Sequence, residues 1–215
     1  MKEIEKIIMV IMLTLVCLGT SEVQALIFND GAVHTVDWTI DEPVWVEDSP
    51  TDDPTTLNLV EGGEISDWLN VFDYSHANIS GGSIGFVLHT YEYSQATISG
   101  GSIAYDLNTS DDSEVFVSGG LIGDNIDVRD NSKVSIFGSN FEIDGAPVGY
   151  GEITTGTIDE FGKLTGTLTG ILQVGDSLNN VFYIEPDASI FLVPEPATLL
   201  LLSLGALVLR RKNRI

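Results

Sequence analysis

One cysteine and only nine lysines and arginines stand in a chain of 215 residues that holds 32 aspartates and glutamates, for a formal net charge of -23. With so few bases to neutralise a run of phosphates, nucleic-acid binding is excluded. The shortage is sharpest between residues 26 and 193, where Arg129, Lys133 and Lys163 are the only cations. Anionic membranes and acidic polymers repel such a body, whereas neutral glycans and divalent cations do not. The lone thiol, Cys17, lies in an N-terminal apolar run behind Val16 rather than a small residue, which argues against a lipoprotein anchor. The body itself has no cysteine, so its stability must come from packing and backbone pairing instead of disulfides. Histidine is scarce too: His34, His76 and His89 share no metal-ligand spacing and read as solvated surface residues. No GxSxG and no phosphate-binding loop is present. A hydrophobic fraction of 43% nevertheless excludes a disordered chain.

Both ends read as addresses. Lys2 and Lys6 precede an apolar stretch from Ile7 to Leu18, and Val23-Gln24-Ala25 fits a signal-peptidase site, so residues 1–25 are expected to be a helical secretory signal cut after Ala25. At the other end Pro194-Glu195-Pro196 leads into an apolar run, Ala197 to Leu209, closed by Arg210, Arg211, Lys212 and Arg214. Thirteen helical residues cover about 20 Å, a minimal transmembrane helix whose basic end stays cytoplasmic, leaving the body outside. The triplet, the short apolar run and the Arg-rich end together resemble the PEP-CTERM sorting signal of Gram-negative bacteria. That resemblance implies a membrane protease partner of the exosortase type, recognition at Pro194, Glu195 and Pro196, and delivery to the cell envelope, cell surface or exopolysaccharide matrix. It assigns no catalytic residue.

Between the ends a repeat of nineteen residues stands out. Glu61-Gly62-Gly63, Ser80-Gly81-Gly82, Ser99-Gly100-Gly101, Ser118-Gly119-Gly120 and Phe137-Gly138-Ser139 open five rows without any insertion. Ile65, Ile84, Ile103, Ile122 and Phe141 form one column, and Leu69, Leu88, Leu107 and Ile126 another. Acids (Asp73, Glu92, Asp111, Asp130), serines (Ser75, Ser94, Ser113, Ser132), small apolar residues (Ala77, Ala96, Val115, Val134) and Ile79, Ile98, Val117, Ile136 complete the row. All these columns fall at even offsets from the row start, and period two belongs to strands. A row this short cannot bury its own apolar face, so rows must stack with like residues over like. The expected fold is therefore all-β: a parallel β-helix or solenoid of about four to five coils over residues 61–141. Residues 26–60, with Pro43, Pro50 and Pro54 among acids, read as an irregular lead-in. Residues 142–193 alternate β-formers with Gly, Asp and Asn turns and read as an antiparallel β cap over the open end. They also resemble the C-terminal module that follows Gly-Gly repeats in PEP-CTERM proteins. Residues 194–215 are the sorting signal.

Little in the rows points to catalysis. Parallel β-helices include polysaccharide lyases that use Arg or Lys as base, but Arg129 and Lys133, near Asp127 and Asp130, read as surface cations among acids. Rows of unvarying length supply no insertions to wall a substrate groove. The acidic column Asp73, Glu92, Asp111, Asp130 places carboxylates one rung, about 4.8 Å, apart, where a divalent cation would relieve their repulsion. Weak calcium binding along it is the one cofactor expectation, against a solvated ladder that caps turns. Tyr74, Tyr91, Tyr93 and Tyr105 with Phe72 and Phe86 lie on neighbouring rows as an aromatic patch able to stack on sugar rings or to be covered by residues 26–60. The sequence thus predicts an exported structural or adhesive protein with extracellular polysaccharide as a further candidate partner. A carbohydrate-active β-helix enzyme or a glycan-binding module is the alternative.

Overall fold

Residues 24–195 are described by the computed structural model, and every regular element among them is a β-strand. The predicted signal helix and transmembrane helix lie outside the described residues. Strand follows strand around a succession of short sides, each coil laid on the one before. The first coil is β1 (Leu26–Phe28), β2 (Val33–Val36) and β3 (Thr39–Ile40), and the second β4 (Val44–Val46), β5 (Thr56–Leu59) and β6 (Glu64–Ile65). The third is β7 (Leu69–Val71), β8 (His76–Ile79) and β9 (Ser83–Ile84). In the next three the second and third sides run together: β10 (Leu88–Thr90) with β11 (Gln95–Ile103), β12 (Leu107–Thr109) with β13 (Glu114–Ile122), and β14 (Asn125–Val128) with β15 (Lys133–Ile143).

The nineteen-residue columns are spatial columns. Leu69 pairs with Leu88, Leu88 with Leu107 and Leu107 with Ile126, all in parallel register. Ile84 pairs with Ile103 on the third side. Ala77, Ala96, Val115 and Val134 do the same on the second. These side chains are at or near zero exposure and merge into a single core running the length of the stack. Burying one Leu or Ile contributes about 1.5–3 kcal/mol relative to leaving it in water, and repetition multiplies that gain with each coil. The serine column is equally buried; its hydroxyls are satisfied within the coil, as where Tyr91 N donates to Ser94 Oγ at 3.1 Å, or between coils, as in Thr90 Oγ1 to Ser113 Oγ at 3.0 Å and Thr109 Oγ1 to Ser132 Oγ at 2.8 Å.

The solenoid has about six turns instead of four to five, because residues 26–60 are not an irregular lead-in. They supply the first coil and most of the second, in parallel register from Leu26 on Val44 through Val33 on Thr56. Their pattern escapes a fixed period because Glu47–Thr55 loops out between β4 and β5. Hydrogen bonds between Ser49 and Asp53 close that loop. The C-terminal cap is likewise only partly antiparallel. After β16 (Ala146–Pro147), β17 (Gly151–Glu152), β18 (Thr157–Ile158) and β19 (Leu164–Leu172), the chain returns as β20 (Ser177–Ile184) and β21 (Ser189–Pro194). These last two lie parallel on β14 and β15, with Phe182 over Ile126 and Ile190 over Val134, as a further rung. Antiparallel β19 pairs with β15 and β20, and antiparallel β17 covers the outer edge of β21.

Candidate functional site: an uncharged aromatic groove

Alternation along the first side sends Leu and Val inward and leaves Trp45, Asn70 and His89 on the outer face of β4, β7 and β10, in register with one another. Trp68, just before β7, rises on one flank, while Phe72 and Tyr91, just after β7 and β10, rise on the other. Gln24, Ala25, Ile27 and Pro43 close the end toward the first coil. The resulting groove encloses about 730 Å³. Its existence corrects the expectation that rows of constant length leave no groove: the walls are large side chains on a regular backbone, and no insertion is needed.

Rung spacing dictates how the rings meet. Phe72 and Tyr91 stack at 5.0 Å and 7°, Tyr74 and Tyr93 at 5.0 Å and 8°, and Phe86 leans on Tyr105 at 5.0 Å and 30°. In these pairs the ring faces are turned on each other, so most of the predicted patch is a set of structural ladders. The tryptophans differ. Trp45 meets Phe72 at 66° and Trp68 meets Phe86 at 79°, and both remain 39–46% exposed. Being part-exposed on the groove walls, these indoles are what a sugar ring could stack on. Sequence reasoning missed them: Trp68 sits in a mixed column, and Trp45 lies in the segment taken as irregular. It also placed His89 among the solvated histidines, whereas the imidazole is half-buried on the groove floor, 5.7 Å from Tyr91.

The polar groups of the floor are uncharged near neutral pH. Burial, followed by the positive field of Arg129, holds the His89 imidazole below its usual pKa, and burial pushes the Tyr91 phenol up. Asn70, 7% exposed, adds a neutral amide. Charge stands at the edge of the floor: Asp106, one rung on, and Arg129 both act on the imidazole, and two rungs on Asp127 is in register beyond His89 and Asn108. There Arg129 Nε donates to Asp127 at 3.0 Å, and Lys163 bridges Asp127 and Glu185 at 3.2 Å each. Of the candidate lyase bases, Arg129 is thus tied to an acid, and the pairing with Asp127 raises its pKa further, so its proton is harder to lose.

The acidic column is a hydrogen-bonded ladder. Asp73, Glu92, Asp111 and Asp130 all adopt positive φ, 54–58°, and each backbone N–H points at the carboxylate one coil further on. Asp73 N donates to Glu92 Oε2 (2.9 Å), Glu92 N to Asp111 Oδ2 (3.0 Å) and Asp111 N to Asp130 Oδ2 (3.2 Å). Asp48 and Glu185 extend the ladder at either end. Among the described residues no group of three or more His, Cys, Asp or Glu is arranged to hold a metal ion.

The two predicted processing sites flank this frame. Ala25 precedes β1 at the mouth of the groove, and Leu26 N donates to Pro43 O at 2.8 Å. Pro194 ends β21, Glu195 accepts a hydrogen bond from Ser139 Oγ at 3.2 Å, and Pro196 lies outside the described residues. No curated protein and no solved structure matches the chain. Residues 192–214, however, match the family model of the PEP-CTERM protein-sorting motif, so the solenoid carries the signal of an exported protein sorted by exosortase to the cell envelope or surface.

Proposed function

We propose that this chain is a non-catalytic structural or adhesive component of the cell surface or extracellular matrix, and that it holds a neutral polysaccharide in the aromatic groove. The carrying observation is the contrast between an uncharged floor, lined by two part-exposed tryptophans, and a body that is acidic almost everywhere else. An anionic polymer would be repelled on approach, while a neutral glycan loses nothing and gains stacking on Trp45 and Trp68 and hydrogen bonds from Asn70, His89 and Tyr91. A stiff stack with a single core suits a load-bearing role, and export by the C-terminal signal takes it to where such polymers are. The ion-paired state of Arg129 and Lys163 supports the non-catalytic reading over a lyase.

Affinity electrophoresis of the protein through gels containing neutral polysaccharides, β-glucans and galactomannans among them, tests this. Retardation by at least one of them is expected, and Trp45→Ala with Trp68→Ala should weaken it by roughly tenfold or more, as for aromatic anchors elsewhere, with an unchanged far-UV spectrum. Equal mobility with and without every neutral polymer would reject the groove. Release of unsaturated products from any polymer would instead favour the enzyme.

A further inference from the structure

The match to the sorting motif begins at residue 192, whereas the last strand runs to Pro194, so the signal and the folded body share three residues. Those residues are not a free tail. On one side β21 pairs with β15 in unbroken parallel register, from Lys133 on Ser189 to Gly138 on Pro194. On the other, Phe191 and Leu192 pair with Glu152 and Gly151 of β17. Leu192, 3% exposed, fills the core column above Ile136. The next residue is held as well, by the hydrogen bond from Ser139 Oγ to Glu195 Oε1. Ser139 occupies the row position that is glycine in the four preceding rows, Gly63, Gly82, Gly101 and Gly120. The repeat therefore changes its corner residue at the one coil that lies beside the motif.

We infer that the bond cut during sorting lies beyond Pro194, so that processing leaves β21 whole, and that Ser139 is a positioning residue which fixes Glu195 at the boundary. The inference rests on the reading of residues 192–214 as an exosortase substrate. Proteases act on extended segments whose backbone is free to be drawn into the active site, and bonds up to Pro194 are engaged in the sheet. Drawing them out would strip Ile190 and Leu192 from the core and uncover β15. The first bond that can be presented without this loss is the one after Glu195, immediately before the apolar run. In the reaction that amide bond breaks, its nitrogen leaves protonated as the amine of the tail, and the acyl group passes to water or to a nucleophilic hydroxyl or amine of an acceptor.

Peptide mass mapping of the full chain, expressed in a bacterium that carries an exosortase, reads the new C-terminus. Every processed species is expected to end at Glu195 or later; one ending at Pro194 or earlier overturns the assignment. Complete absence of processed protein overturns it together with the sorting reading. A second measurement does not depend on the sorting enzyme. Full-length protein in detergent is treated briefly with a nonspecific protease, and the tail should be lost by cuts at or beyond Glu195 while Ser189–Pro194 stays protected. Cuts within that strand overturn the assignment alone. Ser139→Ala should speed tail loss roughly two- to tenfold, the effect of one hydrogen bond, and Ser139→Thr should restore the slower rate. An unchanged rate in Ser139→Ala removes Ser139 from the proposal.

Discussion

Glu92 shows how a single residue both builds and burdens the stack. Its carboxylate accepts the backbone N–H of Asp73, which stabilises the left-handed corner of the coil below, yet it stands between the acids Asp73 and Asp111. Its pKa is raised, first by the side-chain hydrogen bond with Asp73 and then by burial and by the charges of its two neighbours. A carboxyl whose pKa is higher in the folded than in the unfolded state favours folding in acid and loses that contribution as pH rises through the raised value. Glu92→Gln keeps an acceptor oxygen for Asp73 and removes the charge. In low salt at pH 7 it should raise Tm by about 1–2 °C, since screening at this exposed edge holds the gain to roughly 0.5 kcal/mol. Below about pH 4 the gain should vanish, because the wild-type group is then protonated too. Glu92→Ala, which leaves the Asp73 N–H without its carboxylate, should lower Tm at both pH values. Melting curves of the three proteins at the two pH values provide the check. A larger gain for Glu92→Gln in acid than at pH 7 would contradict this account.

At the level of the coil, the corners decide what the sequence can vary. Gly101 has φ +74°, and a Cβ added there would come within 2.5 Å of the Gly81 carbonyl oxygen on the coil below. That neighbour is backbone, so the clash cannot be relieved by a rotamer change, and Gly101→Ala should cost about 2–4 kcal/mol through combined strain and displacement. Gly149→Ala, in the cap, meets nothing within 4 Å and should be close to neutral; urea unfolding of the two variants beside the wild type checks both. The rows that contain these corners were legible because every coil from Glu61 to Phe137 has the same length, so stacking partners recur at one spacing and alternate at period two. Coils of unequal length were not. Val44 and Leu69 are in register at 25 residues because of the Glu47–Thr55 excursion, and Asn125 and Val181 at 56 because the hairpins of the cap intervene. Both pairings satisfy the same hydrogen bonds as the regular rows, but neither leaves a period to be read. The groove was hidden for a related reason. A column reports which residues face outward, whereas whether their rings stack face to face or stand apart depends on rotamers that Trp45 and Trp68 adopt only against their neighbours.

For the molecule as a whole, the dominant electrostatic fact is that 28 acids face three bases between residues 26 and 193, with Arg129 and Lys163 already committed to ion pairs. Folding draws these acids together, so self-repulsion must lower the stability of the folded state, and salt should restore part of it. Because the Debye length falls from about 30 Å at 0.01 M to about 10 Å at 0.1 M, most of the rise in Tm should come within that interval. Repulsion along the ladder acts across one rung, about 4.8 Å, inside the Debye length even at 0.1 M, and so survives it. Calcium distinguishes two ladders. If the carboxylates were open to a cation, calcium would raise Tm well above magnesium or sodium at equal ionic strength. In the observed geometry one oxygen of each carboxylate already accepts a backbone N–H from the adjacent coil, and among the described residues no three acids converge to complete a shell for a cation. Calcium and magnesium chloride at matched ionic strength should therefore give the same Tm within about 1 °C. A gain specific to calcium at millimolar concentration would mean that the ladder rearranges to bind it, and that the corner hydrogen bonds are weaker than their geometry implies.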